Sequence, residues 1–252
     1  MCKERVVESD EEQGESIPVG KSIKGLVTNK YWLLMLAALI AMYFMMSCFF
    51  GSAAYFVQYI MGDLNNFAPI SNALTIAQIS TMFLTPFVMM KLSKRNTMMI
   101  GAIIQIIGFV GTAFSGANLT LQILMSAVKG IGFGCGAAVM FGLLQDAITY
   151  GQWKNGYGTV GMGNAASSFG MKIGSGIGTA VLGLILDMGG FDASQAVQSA
   201  TAQHSILFAF AWVPVVTAVI VFLCMFFFDL DKIYDRVIDD LAKGRYKDSP
   251  AE

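Results

Sequence analysis

Six stretches of the chain are apolar almost without interruption for about twenty residues or more, with short polar segments between them. A helix needs about 20 apolar residues to cross the hydrocarbon core of a bilayer. Each stretch therefore predicts a span, at residues 31–61, 70–90, 97–114, 119–148, 163–186 and 205–228. The intervening segments carry helix-breaking residues: Gly62-Asp63-Leu64-Asn65-Asn66, Ser93 to Asn96, Ser115-Gly116-Ala117-Asn118 and Gly189-Gly190. The pattern predicts an all-α membrane protein. A six-helix transmembrane bundle occupies residues 31–228, preceded by a cytoplasmic linker at 1–30 and followed by an amphipathic cytoplasmic tail at 229–252.

Composition agrees with the pattern. Of the 252 residues, 55% are hydrophobic and only 13% charged, with a mean hydropathy of +0.61. A soluble domain is far less apolar. A formal net charge of -1 argues against a nucleic-acid partner. The placement of charge says more than its sum. Lys3, Arg5, Lys21, Lys24 and Lys30 precede the first span. Lys91, Lys94 and Arg95 join the second to the third, and Lys154 joins the fourth to the fifth. Lys232, Arg236, Lys243, Arg245 and Lys247 follow the sixth. The alternate loops contain no Lys or Arg. By the positive-inside rule both termini are expected in the cytoplasm and the bundle in the plasma (inner) membrane. The first thirty residues lack the short apolar region and cleavage site of a signal peptide, so the first span is expected to direct its own insertion.

The leader is acidic from Glu8 to Glu15 and then gives a short amphipathic stretch with Ile23, Leu26 and Val27. In the tail, Ile233, Val237, Ile238 and Leu241 share a helical face opposite Asp235, Arg236, Asp239 and Asp240, a pattern for a helix on the membrane surface or capping the bundle. Cys2, Cys48, Cys135 and Cys224 form no CxxC pair, and no disulfide or metal is expected.

Two lysines fall inside spans. Lys129 lies about 15 Å from the far end of the fourth, and Lys172 about 14 Å from the cytoplasmic end of the fifth, counting 1.5 Å per residue. A lysine at the centre of a membrane helix costs about 2.5 to 3.5 kcal/mol, so each calls for a partner or a water-filled cavity. The bland alternative is that each amine reaches a backbone carbonyl or the interface. No carboxylate of this chain lies at the same depth, so the counter-charge is expected from a solute or from another bundle. Gly130, Gly132, Gly134 and Gly136 follow Lys129, and Gly170, Gly174, Gly176 and Gly178 surround Lys172. Such spacing serves helix packing; the sharper reading is room for a cavity beside each amine. Asp146, Thr149, Tyr150, Gln152, Trp153 and Lys154 form either an interfacial belt or a gate. In a gate, Asp146 would pair with a basic residue of a facing bundle. His204 reads as solvated, and Pro86 and Pro214 as sites of helix bending. No nucleotide loop, activated nucleophile or metal-ligand cluster is present in the sequence, so no enzyme is expected.

Three strings then resemble one family. YFVQYIMGD at Tyr55 to Asp63, QDAITYGQWKNG at Gln145 to Gly156 and SFGMKIGSG at Ser168 to Gly176 resemble the glycoside-pentoside-hexuronide:cation symporters of the major facilitator superfamily, which include the melibiose permease. The similarity runs from about Asn29 to the end of the sixth span. It implies one half, the carboxy-terminal one, of a twelve-helix sugar:cation symporter. No cofactor is implied beyond a coupling ion, Na⁺ or H⁺, and the partners are a sugar or glycoside, the lipid bilayer and an amino-terminal six-helix half. The family pattern A-D-T-V-D-Y-G-E is matched by Asp146, Tyr150 and Gly151, whereas Thr149 and Gln152 replace its second Asp and its Glu. Lys172 matches a family lysine, and Ser168 a hydroxyl one turn before it. Both are implied to border the sugar and cation sites. Lys129 matches no such motif and is a candidate by depth alone, as a cation for an anionic sugar. Two other expectations stand beside this one: a six-helix transporter acting as a second-copy homodimer, and a truncated or non-transporting membrane scaffold.

Overall fold

The computed structural model describes residues 18–247. The acidic stretch Glu8 to Glu15 and the last five residues lie outside the described part. The described residues form nine α-helices: α1 (Val19–Val27), α2 (Lys30–Tyr59), α3 (Phe67–Met89), α4 (Lys94–Ser115), α5 (Leu119–Asn155), α6 (Val160–Met188), α7 (Ala200–Leu207), α8 (Val213–Phe226) and α9 (Tyr234–Ala242). A π-turn, Phe208–Trp212, joins α7 to α8 into one span. It sits directly before Pro214, which has no N–H to offer the carbonyl of Phe210. All six expected spans are long and apolar enough to cross a membrane.

The sequence sets the helix ends through caps. Asn29 accepts from the Tyr31 and Trp32 amides, Ser93 from Asn96, Asn118 from Leu121 and Ser199 from Ala202. Residues 149–155 extend the fourth span as continuous helix, two turns past the expected end. Gly151 is accommodated within this stretch against the Asn29 side chain, and Gly156 closes α5 in the left-handed region at φ 75°.

Helices α2, α8, α4 and α5 form a ring, α6 packs along the outside of α2, and α3 packs along α5. The two outer helices are thinly covered. Of its central membrane window, α3 has 11% buried and α6 28%, against 56% for α5. Glycines set the close approaches. Gly130 and Gly134 of α5 face α3, Gly132 faces α4, and Gly170, Gly174 and Gly178 of α6 face α2. They therefore pack against neighbouring helices and do not open a cavity; in α6, open space adjoins Gly161, Gly176 and Gly183.

The short helices α1 and α9 both lie at the end of the bundle where the lysines and arginines gather, called the basic end below; the opposite end is the far end. In α1 only Leu26 of the expected apolar face turns inward, beside Ser22 and Gly25. Ile23 and Val27 are exposed, because Tyr157 and Asn155 hold the small-residue side of α1 through the carbonyls of Lys21 and Gly25. The tail helix α9 caps α5: Val237 is wholly buried, and the Trp153 indole donates to Asp240 at 3.1 Å.

Candidate functional site

The surface of α6 divides into three sectors. Gly170, Gly174 and Gly178 face α2; Phe169, Ile173, Ile177 and Leu184 are exposed and apolar; and Asn164, Ser168, Lys172, Ser175 and Thr179 form a polar strip. From Asn164 to Thr179 the strip is about 22 Å long. Hydrogen bonds orient it. Gln145 of α5 donates to Asn164 at 2.7 Å, and Ser47 of α2 pairs with Ser175 at 2.8 Å. The strip therefore borders the cleft floored by α2 and α5, and the apolar sector suits lipid. Lys172 stands between those two hydrogen bonds, one turn from Ser168. Both are exposed, and Lys172 has no ion-pair or hydrogen-bond partner among the described residues. Spacing at i, i+4 joins Asn164 to Ser168 and Lys172, and Thr179 to Ser175, a signal the sequence carries. The contributions of Gln145 and Ser47 come from tertiary contact.

Lys129 is elsewhere. It is wholly buried inside the helix ring, and its amine lies 4.9, 5.0 and 5.3 Å from the ring centroids of Phe210, Phe49 and Phe109. It has no hydrogen-bond partner, and the nearby hydroxyls of Ser126 on α5 and Thr112 on α4 are also buried and unpaired. The expectation of room for a cavity beside this amine is corrected: aromatic rings from three segments surround it. Depth along α5 places Lys129 near the midplane, but its azimuth turns it into the ring and away from the cleft. Cation–π contacts return about 0.5 to 2 kcal/mol, less than burying an unpaired ammonium costs. Replacing Lys129 by methionine keeps the bulk and removes the unpaired donors. We expect the thermal midpoint in detergent to rise by about 2–4 °C; a fall would mean that the aromatic cage stabilises the amine outright.

At the basic end, the Asp146 carboxylate is bound by Lys94 of α4 at 2.7 and 2.9 Å, where the lysine stem passes over Gly142. Its partner thus comes from its own bundle and not from a facing one, because antiparallel α4 begins beside this turn of α5. Arg95 next door caps α8 through the carbonyls of Met225 and Phe226, at 2.8 and 2.6 Å. Burial, and then the adjacent Asp146 carboxylate, push the Tyr234 phenol up to about 12. Tyr150 is buried edge-on against Tyr31, with centroids 4.7 Å apart, while Thr149 and Gln152 are half-buried. These residues form a clamp over the ends of α2, α4, α5 and α9.

Six apolar spans, a glycine-packed ring and a polar strip held apart from an exposed apolar sector describe a multi-pass membrane protein. The chain belongs to the MFS/sugar transport protein family, whose model matches residues 1–232. It is 32% identical to the isoprimeverose transporter of Lactiplantibacillus pentosus over 231 residues, covering 91% of this chain and 48% of that protein. To the glucuronide carrier protein homolog of Escherichia coli (strain K12) it is 25% identical, over 75% of this chain and 42% of the relative. A putative sulfoquinovose importer of the same strain is 24% identical, over 79% and 43%. The chain spans about half the length of the curated relatives it matches.

Proposed function

We propose that this chain acts as the carboxy-terminal half of a sugar:cation symporter, with the polar strip of α6 as its contribution to the solute site. The observation that carries this reading is Lys172. It is an exposed, unpaired cation near mid-span, on a strip whose neighbours Gln145, Asn164, Ser47 and Ser175 are already hydrogen-bonded. Hydrocarbon does not tolerate such a group, and water or an opposing carboxylate does. An amino-terminal six-helix half packed against α3 and α6 would cover the two thinly buried helices and bring that carboxylate, with Na⁺ or H⁺ as the coupling ion. The names of the relatives favour a glycoside-like solute, including anionic ones.

In this reading the two halves rock about the cleft. The clamp of Lys94, Asp146 and Tyr234 keeps the basic end of this half rigid while it moves. That end faces the cytoplasm of a plasma membrane, as the lysine distribution favours. The test is uptake of radiolabelled disaccharide by vesicles holding this chain alone, or this chain with a co-expressed amino-terminal half. Accumulation is expected only for the pair. Accumulation by the chain alone would favour a homodimer, and none in either case would remove the transport reading.

A further inference from the structure

The short helix α1 has three sides of different chemistry. At about 100° per residue, Val19, Ile23 and Val27 share one side, Lys21 and Lys24 a second, and Ser22, Gly25 and Leu26 a third. Only the third side is buried against the bundle. The apolar side is bare, with Val19, Ile23 and Val27 61%, 49% and 57% exposed. An apolar stripe beside a basic one, on a helix of low overall hydrophobicity, is the pattern of a helix lying in a membrane interface.

Two contacts fix the depth of α1. Asn29, at the joint between α1 and α2, donates its side-chain amide to the Ala147 carbonyl at 2.7 Å. Leu26 faces α6 at Gly163, where an added Cβ would lie 3.4 Å from it. Residue 147 falls at the end of the fourth apolar stretch, 119–148, and Gly163 at the start of the fifth, 163–186. The helix therefore lies level with the boundary between apolar spans and polar loops, where a bilayer changes from acyl chain to headgroup. From the loop between those spans, the Tyr157 hydroxyl donates to the Lys21 carbonyl at 3.0 Å and holds α1 there.

Charge then selects the lipid. No Asp or Glu occurs between residues 18 and 62. Lys24 is exposed and has no ion-pair or hydrogen-bond partner among the described residues. The Lys21 amine lies 4.7 Å from the Tyr157 ring centroid, a contact that supplies no carboxylate. Lys154 donates to the Thr28 carbonyl at 2.7 Å, which brings a third ammonium one turn beyond Lys24. Lys30 differs, because Asp229 pairs with it at 3.2 Å. A headgroup with a net negative charge complements the three uncompensated amines, whereas a zwitterionic one brings a cation of its own.

We propose that α1 is an interfacial helix that binds anionic phospholipid in the leaflet at the basic end. The side bearing Val19, Ile23 and Val27 enters the acyl boundary, and Lys21, Lys24 and Lys154 hold the phosphate. None of the cleft residues takes part.

The test places a fluorescent reporter on the apolar side. Protein carrying the full chain with Ile23→Trp is reconstituted in phosphatidylcholine nanodiscs that hold equal fractions of acyl-brominated phosphatidylglycerol or acyl-brominated phosphatidylcholine. Emission of the parent, from Trp32, Trp153 and Trp212, is subtracted. Brominated phosphatidylglycerol is expected to quench the added emission about threefold more strongly than brominated phosphatidylcholine. That ratio is expected to fall to about one in Lys21→Gln/Lys24→Gln, which changes exposed side chains only, and to shrink at about 0.5 M salt. Val197→Trp, at an exposed position of the far end, is the control, and an equal preference there overturns the proposal. Absence of quenching by either lipid also overturns it, because another segment or partner then covers α1. Equal quenching by the two lipids does the same, since it leaves an apolar contact without selection by charge. A preference that appears only after residues 2–16 are deleted assigns the lysines to the acidic leader and overturns it too.

Discussion

Valine in place of Gly134 will loosen α3 from the bundle. A Cβ at this position would lie 2.6 Å from the Gln78 carbonyl oxygen and 2.7 Å from the Thr81 Cβ. The first obstacle is backbone, which has no rotamer to escape into, so the two helices must separate. α3 has little else to hold it: its main partner is α5, and 11% of its central window is buried. Overpacking costs about 1–3 kcal/mol where neighbours can give, and more where they cannot. We expect a fall of about 6–12 °C in the detergent thermal midpoint. We also expect faster thiol labelling of a cysteine placed at Thr85, which is 1% exposed in α3. The control is Gly176→Val, where nothing lies within 4 Å. Equal losses from the two substitutions would mean that the α3 contact has no special weight.

The same glycines mark the limit of what the sequence carries. Their four-residue spacing announces close packing, and packing is what they do. Which helix each one meets depends on how α3, α4 and α5 cross, and a linear pattern holds no such information. Lys129 illustrates the difference between depth and direction. Depth follows from counting along one helix, and the count from the start of α5 to Lys129 is unchanged. Direction depends on the ring of neighbours, and Phe49, Phe109 and Phe210 reach Lys129 from three separate segments. Asp146 in a gate calls for a basic residue of a facing bundle; its base is instead Lys94, 52 residues earlier, brought beside it by the antiparallel return of the chain. Span existence was legible because bilayer thickness imposes length on sequence. The two extra turns of α5 were not, because Thr149 to Asn155 are polar enough to suggest a loop and are held helical by contacts with Tyr31, Thr28 and Asp240.

On the half-transporter reading proposed above, alanine at position 172 will leave the bundle intact and remove accumulation of sugar by the assembled transporter. The two halves of that statement come from one observation: the lysine makes no hydrogen bond or ion pair among the described residues, so the fold loses nothing when it goes. A cation held near the middle of a membrane helix is nonetheless costly, and the strip around it offers hydroxyls and amides but no carboxylate. Its compensation then lies across the cleft, in solute or in a facing half. Truncating one member of a desolvated charge pair leaves the other uncompensated, a cost of about 2–5 kcal/mol, so uptake should fall by about 100-fold or more. Lys172→Arg keeps the charge but spreads it over a planar fork, and should retain part of the activity. The thermal midpoint of both variants should stay within about 1 °C of the parent, as for exposed substitutions that touch nothing. Wild-type accumulation by the alanine variant would remove Lys172 from the solute site. A large loss of midpoint would instead give it a structural role, and the polar strip would then need another explanation for its exposed charge.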